Sequence, residues 1–186
     1  MKTVFFDIDT QIDFLFPAGA LYVPGAERII PNIARLNAYA MKNDIALVST
    51  VDAHSENDPE FASWPPHCIV GTVGQQKPSS MLVGQIFIEK QSVDCFTVPT
   101  LPALLESLNA DRYVVYGVVT EICVWNAARG LLKTGKPVEL VIDAVKSLSD
   151  KAAARMLAEF TAAGGMLTSM SEVYALSARK IPTLPF

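Results

Sequence analysis

The sequence predicts a three-layer α/β fold, in which an open, mostly parallel six-stranded sheet lies between two layers of helices. Short apolar segments rich in β-branched and aromatic residues alternate with longer amphipathic segments along the chain. Such alternation is typical of βα units, whose strands pair in parallel and whose helices cover both faces of the sheet. Hydrophobic residues make up 51% of the 186 residues, which is enough for one substantial core.

Each predicted element follows this alternation in turn. The first five strands are short runs dominated by Val, Ile, Phe and Tyr, and the sixth run is a weaker strand candidate. The helices carry apolar residues at intervals of three and four, and Gly135 and Gly164 mark two helix ends. We predict strands over residues 4–9, 45–51, 86–89, 112–118, 138–143 and 166–169, and helices over residues 27–43, 101–108, 121–133 and 149–163.

Composition limits the domain organisation and the classes of partner. No segment in the middle of the chain has the composition of a linker, so we expect a single domain over residues 1–186. The net charge of −4 and the lack of a basic cluster argue against nucleic-acid binding. The apolar runs are shorter than the roughly 18 residues of a membrane span, so no membrane partner is expected. Three widely spaced cysteines favour a cytoplasmic protein without a disulfide framework.

Cys123 lies where the predicted strand 112–118 turns into the predicted helix 121–133. In the first turn of a helix, backbone N–H groups without an internal partner stabilise a thiolate and can also bind an oxyanion. Cys123 is therefore a candidate nucleophile. The alternative is that it simply fills space in the core, which is the commoner role of a free cysteine.

The longest irregular segment, residues 53–85, contains both histidines of the chain. Asp52 and His54 form an Asp-x-His pair whose side chains lie on the same side of an extended chain, so both can bind one cation. His67 can return to this pair from further along the segment, and Glu60 is a candidate fourth oxygen donor. The alternative is ordinary hydrogen bonding, with Asp52 capping a turn and the histidines on the surface.

A candidate base for Cys123 follows from the number of histidines. If both histidines bind a metal, neither is free to deprotonate the thiol, so the base must be a carboxylate. Asp9 ends the first strand at the same sheet edge as Cys123, and Lys90 ends a neighbouring strand, from which it could hold the charge of Asp9. Taken singly, Asp9 begins a turn and Lys90 extends to solvent. Taken together, Asp9, Lys90 and Cys123 form a candidate triad.

Five segments spread over nearly the whole chain carry a recognisable pattern. They are residues 9–14 (DTQIDF), 17–26 (PAGALYVPGA), 52–54 (DAH), 64–72 (WPPHCIVGT) and 117–124 (GVVTEICV). These segments resemble, in the same order, those of the isochorismatase-like cysteine hydrolases and, within that family, the nicotinamidases. The resemblance implies the isochorismatase-like, Rossmann-like α/β fold.

The resemblance also implies roles for individual residues near the reacting bond. Asp9, Lys90 and Cys123 match the catalytic triad of the family. The bond between Val118 and Val119 matches the position of the family's cis peptide. The backbone N–H groups of Val119 and Cys123 would bind the oxyanion.

Further residues match the metal-binding and substrate-binding positions of the family. The implied cofactor is one divalent metal ion, either zinc or else iron or manganese. Phe14 and Trp64 match the aromatic residues on either side of a pyridine ring. The metal ligands would be Asp52, His54 and His67, with Glu60 where some nicotinamidases place a fourth ligand.

The function expected from this resemblance is hydrolysis of nicotinamide and pyrazinamide to the carboxylic acid and ammonia, through a cysteine thioester. A homo-oligomer that acts on a small-molecule amide is expected. Lys90 is followed by Gln91, whereas nicotinamidases usually have glycine there. An alternative within the family therefore stays open, namely a hydrolase of another small amide, a carbamoyl compound or an isochorismate-like ether.

An alternative from a different class comes from residues 5–10 (FFDIDT). They resemble the first motif of haloacid-dehalogenase-type phosphatases, in which Asp7 would attack phosphorus and Asp9 would act as acid and base. That motif has Thr or Val where this chain has Gln11, and no acidic pair for magnesium follows late in the sequence.

Overall fold

A six-stranded sheet in which every neighbouring pair of strands is parallel forms the centre of the computed structural model, which describes residues 1–178. The order of the strands across the sheet is β3-β2-β1-β4-β5-β6. The predicted α/β fold class is therefore confirmed. The strands are β1 (Thr3–Ile8), β2 (Ala46–Asp52), β3 (Ile86–Lys90), β4 (Arg112–Val118), β5 (Val138–Lys146) and β6 (Met166–Thr168).

Helices cover both faces of this sheet because its strands are apolar on both sides. Phe6 and Ile8 of β1 belong to one core cluster, whereas Phe5 belongs to the other. The helices are α1 (Ile12–Leu15), α2 (Ile30–Lys42), α3 (Leu101–Leu108), α4 (Trp125–Leu132), α5 (Asp150–Ala162) and α6 (Met170–Ala178). Helices α3, α4 and α5 pack on the first cluster, and α1, α2 and α6 pack on the second. No helix within residues 1–178 has the length and apolar character needed to cross a membrane.

Two helices begin differently from their predictions. The predicted helix 27–43 starts as a 3₁₀ turn, Ala26–Ile29, and the α-helix begins only at Ile30, where Pro31 occupies the first turn. The predicted helix 121–133 starts as a single π-helical turn, Thr120–Val124, which leads into α4. Cys123 therefore lies in a helical turn, as predicted, but this turn is π-helical and precedes α4.

Other differences have simple causes. Helices α1 and α6 were not predicted. Helix α1 has four residues, too few to show a helical period, and α6 buries only Met170 and Val173 within its described positions. Strand β5 continues to Lys146, because an irregularity in its pairing with β4 carries the ladder past the predicted end. Strand β1 stops at Ile8, one residue before the predicted end, because Asp9 takes a left-handed conformation with φ of 49°.

The direction of the connections between strands reverses between β1 and β4. This reversal leaves a crevice at the carboxyl ends of these two strands. Strands β2 and β3 lie on one side of β1, and β4, β5 and β6 lie on the other. In open α/β sheets, ligands bind beyond the carboxyl ends of the strands at such a switch point. Asp9 follows β1, and Cys123 follows β4, so both border the crevice.

A buried ion pair stabilises the region around the end of β1. Asp7 is fully buried, and its carboxylate accepts hydrogen bonds from Thr10 Oγ1 (2.6 Å), Asn37 Nδ2 (3.1 Å), Ser49 Oγ (3.1 Å) and Lys77 Nζ (3.1 Å). Lys77 also donates to Thr10 Oγ1 at 2.6 Å. Lys77 therefore fastens the end of the long irregular segment to the sheet.

We expect Lys77→Met to lower the free energy of unfolding by about 3 to 5 kcal/mol, because it leaves the Asp7 carboxylate buried without a cation. Urea denaturation of the two proteins measures the change. Lys133→Met is the matched control, since Lys133 is exposed, and it should change stability by less than about 0.5 kcal/mol. A loss below about 1 kcal/mol for Lys77→Met would contradict the role given to this ion pair.

Candidate active site

Strand β2 fixes the orientation of Asp9. The Asp9 N–H donates to the carbonyl oxygen of Thr50 at 3.1 Å, and Thr50 Oγ1 donates to Asp9 Oδ1 at 2.6 Å. Asp9 is 1% exposed, so this contact is shielded from water. The sequence analysis missed Thr50. Its only signal is its position on β2, where it pairs with Ile8 at the end of β1.

Lys90 reaches Asp9 across an intervening strand. The sequence analysis placed Lys90 on a strand next to β1. This is wrong, because Lys90 ends β3 and β2 lies between β1 and β3. Its Nζ lies 2.8 Å from Asp9 Oδ2 and also forms an ion pair with Asp52 Oδ1. The same Nζ lies 3.9 Å from Cys123 Sγ. The buried ammonium of Lys90 thus contacts the carboxylates of Asp9 and Asp52 and the thiol of Cys123.

The turn after β4 brings Cys123 to the crevice. The Val119 carbonyl accepts hydrogen bonds from the N–H groups of Ile122 (3.0 Å) and Val124 (3.1 Å) within the π-helical turn, and the Val118–Val119 peptide bond is cis. Gly117 has φ of 124°, and a Cβ there would lie 2.1 Å from the Ile8 carbonyl oxygen. Only glycine allows β4 to approach β1 this closely just before the turn.

The ionisation of the three groups depends on burial and on their mutual contacts. Burial raises the pKa of the Cys123 thiol, Lys90 opposes this effect, and a hydrogen bond to Asp9 raises the pKa further. Burial also raises the pKa of Asp9, although the charge of Lys90 opposes it. Burial alone would lower the pKa of Lys90, but Asp9, Cys123 and Asp52 together hold that pKa well above its ordinary value. The arrangement therefore keeps a proton on the thiol beside a carboxylate that can take it.

Asp52, His54 and His67 form a second buried cluster, whose potential ligand atoms all lie within 4.8 Å of one another. Asp52 Oδ2 lies 3.8 Å from His54 Nε2 and 3.6 Å from His67 Nε2. The histidine side chains are 0% and 2% exposed, so the alternative that placed them on the surface is wrong. The two Nε2 atoms therefore converge on one carboxylate oxygen.

This cluster fits a divalent cation. His67 Nδ1 lies 2.8 Å from the carbonyl oxygen of Pro65, and His54 Nδ1 lies 3.1 Å from Asp58 Oδ2. An oxygen faces Nδ1 of each ring, so Nε2 of each ring can present its lone pair to a cation, as in metal-binding histidines whose other nitrogen faces an oxygen. Both ring nitrogens of His54 are buried and have no hydrogen-bond partner within residues 1–178.

Charge also suits a cation at Asp52. Burial opposes the ionised form of Asp52, but Lys90 and the two histidines outweigh burial and hold the pKa of Asp52 well below its ordinary value. Asp52 therefore remains a carboxylate, the form that binds metals.

Two polar residues that the sequence analysis did not identify support this cluster. Asp58 is 6% exposed, and its Oδ1 accepts the Glu60 N–H at 2.9 Å while Oδ2 faces His54. Gln11 is fully buried, and it binds both backbone groups of Asp52: Oε1 accepts its N–H at 2.7 Å, and Nε2 donates to its carbonyl at 2.8 Å. Asp58 precedes a proline and Gln11 follows Asp9 by two residues, but neither pattern specifies these contacts.

Glu60 is half-buried and lies outside the three-residue cluster, although it lines the same cavity. Burial raises the pKa of Glu60, and the negative charge of Asp52 raises it further. The structure thus brings Glu60 to the cavity wall and does not group it with the Asp52 and histidine ligand atoms.

An open cavity is lined by residues of both clusters. Cys123 and Val119 border it, and so do Asp52 and His67. The remaining wall is mainly apolar and is formed by Phe14, Leu21, Val23, Glu60, Trp64, Val93, Ile122 and Leu148.

Comparison with protein families gives the relationship directly. The family model described as the Isochorismatase domain matches residues 3–172. The chain belongs to the isochorismatase family. Members of this family are hydrolases, and the fold and the predicted family resemblance are both confirmed.

The relatives of this isochorismatase-family chain include nicotinamidases. It is 27% identical over 175 residues to the nicotinamidase of Acinetobacter baylyi, covering 76% of this chain and 79% of that protein. It is 26% identical over 183 residues to the nicotinamidase/pyrazinamidase of Mycobacterium tuberculosis, covering 88% and 97% respectively. The crystal structure of the pyrazinamidase of Pyrococcus horikoshii in complex with zinc has a TM-score of 0.86 at 29% identity, covering 91% of this chain and all of that chain.

Membership of the isochorismatase family agrees with the environment of Asp7. The phosphatase alternative requires Asp7 to attack a substrate, yet Asp7 is fully buried, does not line the cavity and forms an ion pair with Lys77. Both Asp7 oxygens accept hydrogen bonds from protein side chains. Nothing in the described environment of Asp7 supports the phosphatase reaction.

Proposed function

We propose that this isochorismatase-family hydrolase converts nicotinamide and pyrazinamide to the carboxylic acid and ammonia. The observation that carries the proposal is the position of Cys123, whose thiol lies beside Lys90 and opens into the same cavity as Asp52 and His67. A nucleophile and a candidate metal cluster therefore face one small ligand. Similarity to nicotinamidases and pyrazinamidases supports the choice of amide.

In the proposed reaction, Cys123 Sγ attacks the amide carbonyl carbon while Asp9 takes the thiol proton. Asp9 then gives that proton to the leaving nitrogen of the tetrahedral adduct, the C–N bond breaks, and ammonia departs to leave a thioester on Cys123. Water attacks the thioester with Asp9 as the base, which releases the carboxylic acid and restores the thiol. A raised pKa suits Asp9 to this work, because it makes the carboxylate a stronger base toward the thiol proton.

Lys90 and two backbone groups would stabilise charge during these steps. The Lys90 ammonium, 2.8 Å from Asp9 Oδ2, keeps the carboxylate in place as its proton comes and goes. We assign the oxyanion to the N–H groups of Val119 and Cys123, since both residues border the cavity. One such donor is typically worth about 3 kcal/mol of transition-state stabilisation.

Substrate binding would involve the other walls of the cavity. Phe14 and Trp64 both line it and offer aromatic surface to a planar ring. Asp52, His54 and His67 would hold the divalent cation, for which zinc, iron and manganese all suit the ligand set. When bound, the cation supplies a Lewis-acid contact for the nitrogen of the pyridine ring.

We expect nicotinamide and pyrazinamide to be hydrolysed at least about thirtyfold faster than benzamide, compared as kcat/KM. Benzamide has nearly the same shape but lacks the ring nitrogen, so it leaves the polar end of the site unpaired at a cost of about 2 kcal/mol. Ammonia release by zinc-reconstituted protein measures all three rates. Equal rates for benzamide and nicotinamide would contradict recognition of the ring nitrogen.

The family alternatives differ from this proposal in the charge of the substrate. None of the described residues that line the cavity is Lys or Arg, whereas Asp52 and Glu60 are acidic. An isochorismate-like ether or a carbamoyl amino acid carries carboxylates, which only the proposed cation, and no side chain of this wall, would neutralise. A neutral amide fits better. If the protein is active on carbamoyl compounds and inactive on nicotinamide, the alternative replaces our proposal.

A further inference from the structure

Asp13, the second residue of the single-turn helix α1, contacts three separate segments around the cavity. Its Oδ1 accepts the Ala20 N–H at 2.9 Å, and its Oδ2 accepts the Cys68 N–H at 2.7 Å. Its own N–H donates to the carbonyl oxygen of Gly74 at 3.0 Å, and its carbonyl oxygen accepts the Leu21 N–H at 3.2 Å. Hydrogen bonds from N–H groups to a carboxylate are stronger than those between neutral groups.

Two glycines make this close approach possible. A Cβ on Gly74 would lie 2.2 Å from Asp13 Oδ2, and a Cβ on Gly19 would lie 2.3 Å from the Asp13 carbonyl oxygen. Such distances are far below van der Waals contact, so no residue with a side chain fits at either position without displacing Asp13. The Asp13 carboxylate therefore occupies a closely fitted site between two loops.

Two of the three segments that Asp13 contacts supply a residue of the cavity wall, and α1 itself supplies a third, directly after Asp13. These residues are Phe14, Leu21 and His67, and all three line the cavity. We propose that Asp13 is a positioning residue that sets the distance between the aromatic wall and His67. Asp13 does not itself line the cavity, so it acts through these neighbours.

The inference rests on the proposed function for its kinetic consequence. None of the hydrogen bonds of Asp13 reaches Asp9, Lys90 or Cys123. Loss of the Asp13 carboxylate should therefore weaken binding of the ring and of a cation more than it slows bond cleavage. Partners that orient metal-binding residues typically change metal affinity about 10-fold to 100-fold when they are removed.

Asp13→Asn tests the proposal, because a carboxamide has one acceptor oxygen and must turn its NH₂ group toward the second N–H. We expect the affinity of the chelator-stripped protein for Co²⁺, followed by absorbance titration, to fall about tenfold or more. We expect KM for nicotinamide to rise about tenfold while kcat changes less than about threefold. The Co²⁺ titration needs no substrate, so it tests Asp13 even if nicotinamide is not hydrolysed.

Two further variants complete the experiment. Gly74→Ala keeps the charge of Asp13 but displaces its carboxylate, and it should reproduce both changes. Asp143→Asn is the matched control, since Asp143 accepts the Met170 N–H away from the cavity, and it should alter neither quantity. Unchanged Co²⁺ affinity in Asp13→Asn, or a fall in kcat at constant KM, would overturn the proposal. Failure of both Asp13→Asn and Gly74→Ala to fold would overturn it too, because Asp13 would then stabilise the fold and not the wall.

Discussion

Cys123→Ala should lower kcat/KM for nicotinamide by a factor on the order of 10⁵ to 10⁶, the loss typical of removing a catalytic nucleophile. No thioester can form without the sulfur, and no other described side chain on the cavity wall offers a comparable nucleophile. The variant should remain folded, because the change removes a single sulfur atom beside an open cavity. Ammonia release and thermal unfolding of the same preparation measure activity and folding together.

Cys95→Ala is the matched control for this experiment. Cys95 is also a free and buried thiol, at 2% exposure, but it does not line the cavity. The control should keep its activity and lose only stability, by about 1 kcal/mol for the small space left in the core. A folded Cys123→Ala protein that keeps more than about one hundredth of the wild-type activity would disprove the nucleophile assignment.

Asp9→Asn should lower kcat about 10²-fold to 10⁴-fold, the usual contribution of a general base. An amide accepts no proton, so the thiol would stay protonated and the leaving nitrogen would receive no proton. The fold should persist, since an amide retains the shape of Asp9 and can still accept the hydrogen bond from Thr50. Single-turnover measurements separate this loss from any change in substrate binding.

Asp7→Asn is the matched control, because Asp7 is a second buried aspartate only two residues away. Its loss weakens the pairing with Lys77 and should lower stability, while the folded fraction keeps its kcat. The reverse pattern, with Asp7→Asn inactive and Asp9→Asn active, would contradict the thioester mechanism and favour the phosphatase alternative.

The parts of the fold that the sequence predicts are those governed by local composition. Runs of β-branched and aromatic residues specify the first five strands, and the helical periods specify α2 to α5, because both signals lie within a few consecutive residues. Asp9, Lys90 and Cys123 were identifiable since parallel strands end at a common edge. The order of the strands in the sheet was not predictable in this way. The alternation of strands and helices does not show that β2 separates Lys90 from Asp9.

The contacts that the sequence does not reveal join residues far apart in the chain. Thr50 binds Asp9 across 41 positions, and Gln11 binds the backbone of Asp52 across the same separation. A threonine in a strand or a glutamine in a loop has many ordinary roles, so residue type alone does not indicate these two. The π-helical turn at Cys123 has no local signature either, because apolar residues such as Val119 and Ile122 also suit an α-helix.

Lys90 gives the two halves of the site a common member. Its ammonium contacts Asp9 on the side of the nucleophile and Asp52 on the side of the ligand cluster. Substitutions on the two sides should therefore not have additive effects, because each alters the charge that the other half experiences. Divergence toward a new cation or a new leaving group cannot proceed independently in such a site. A change in one half has to be accommodated by the other through a single side chain on the outermost strand.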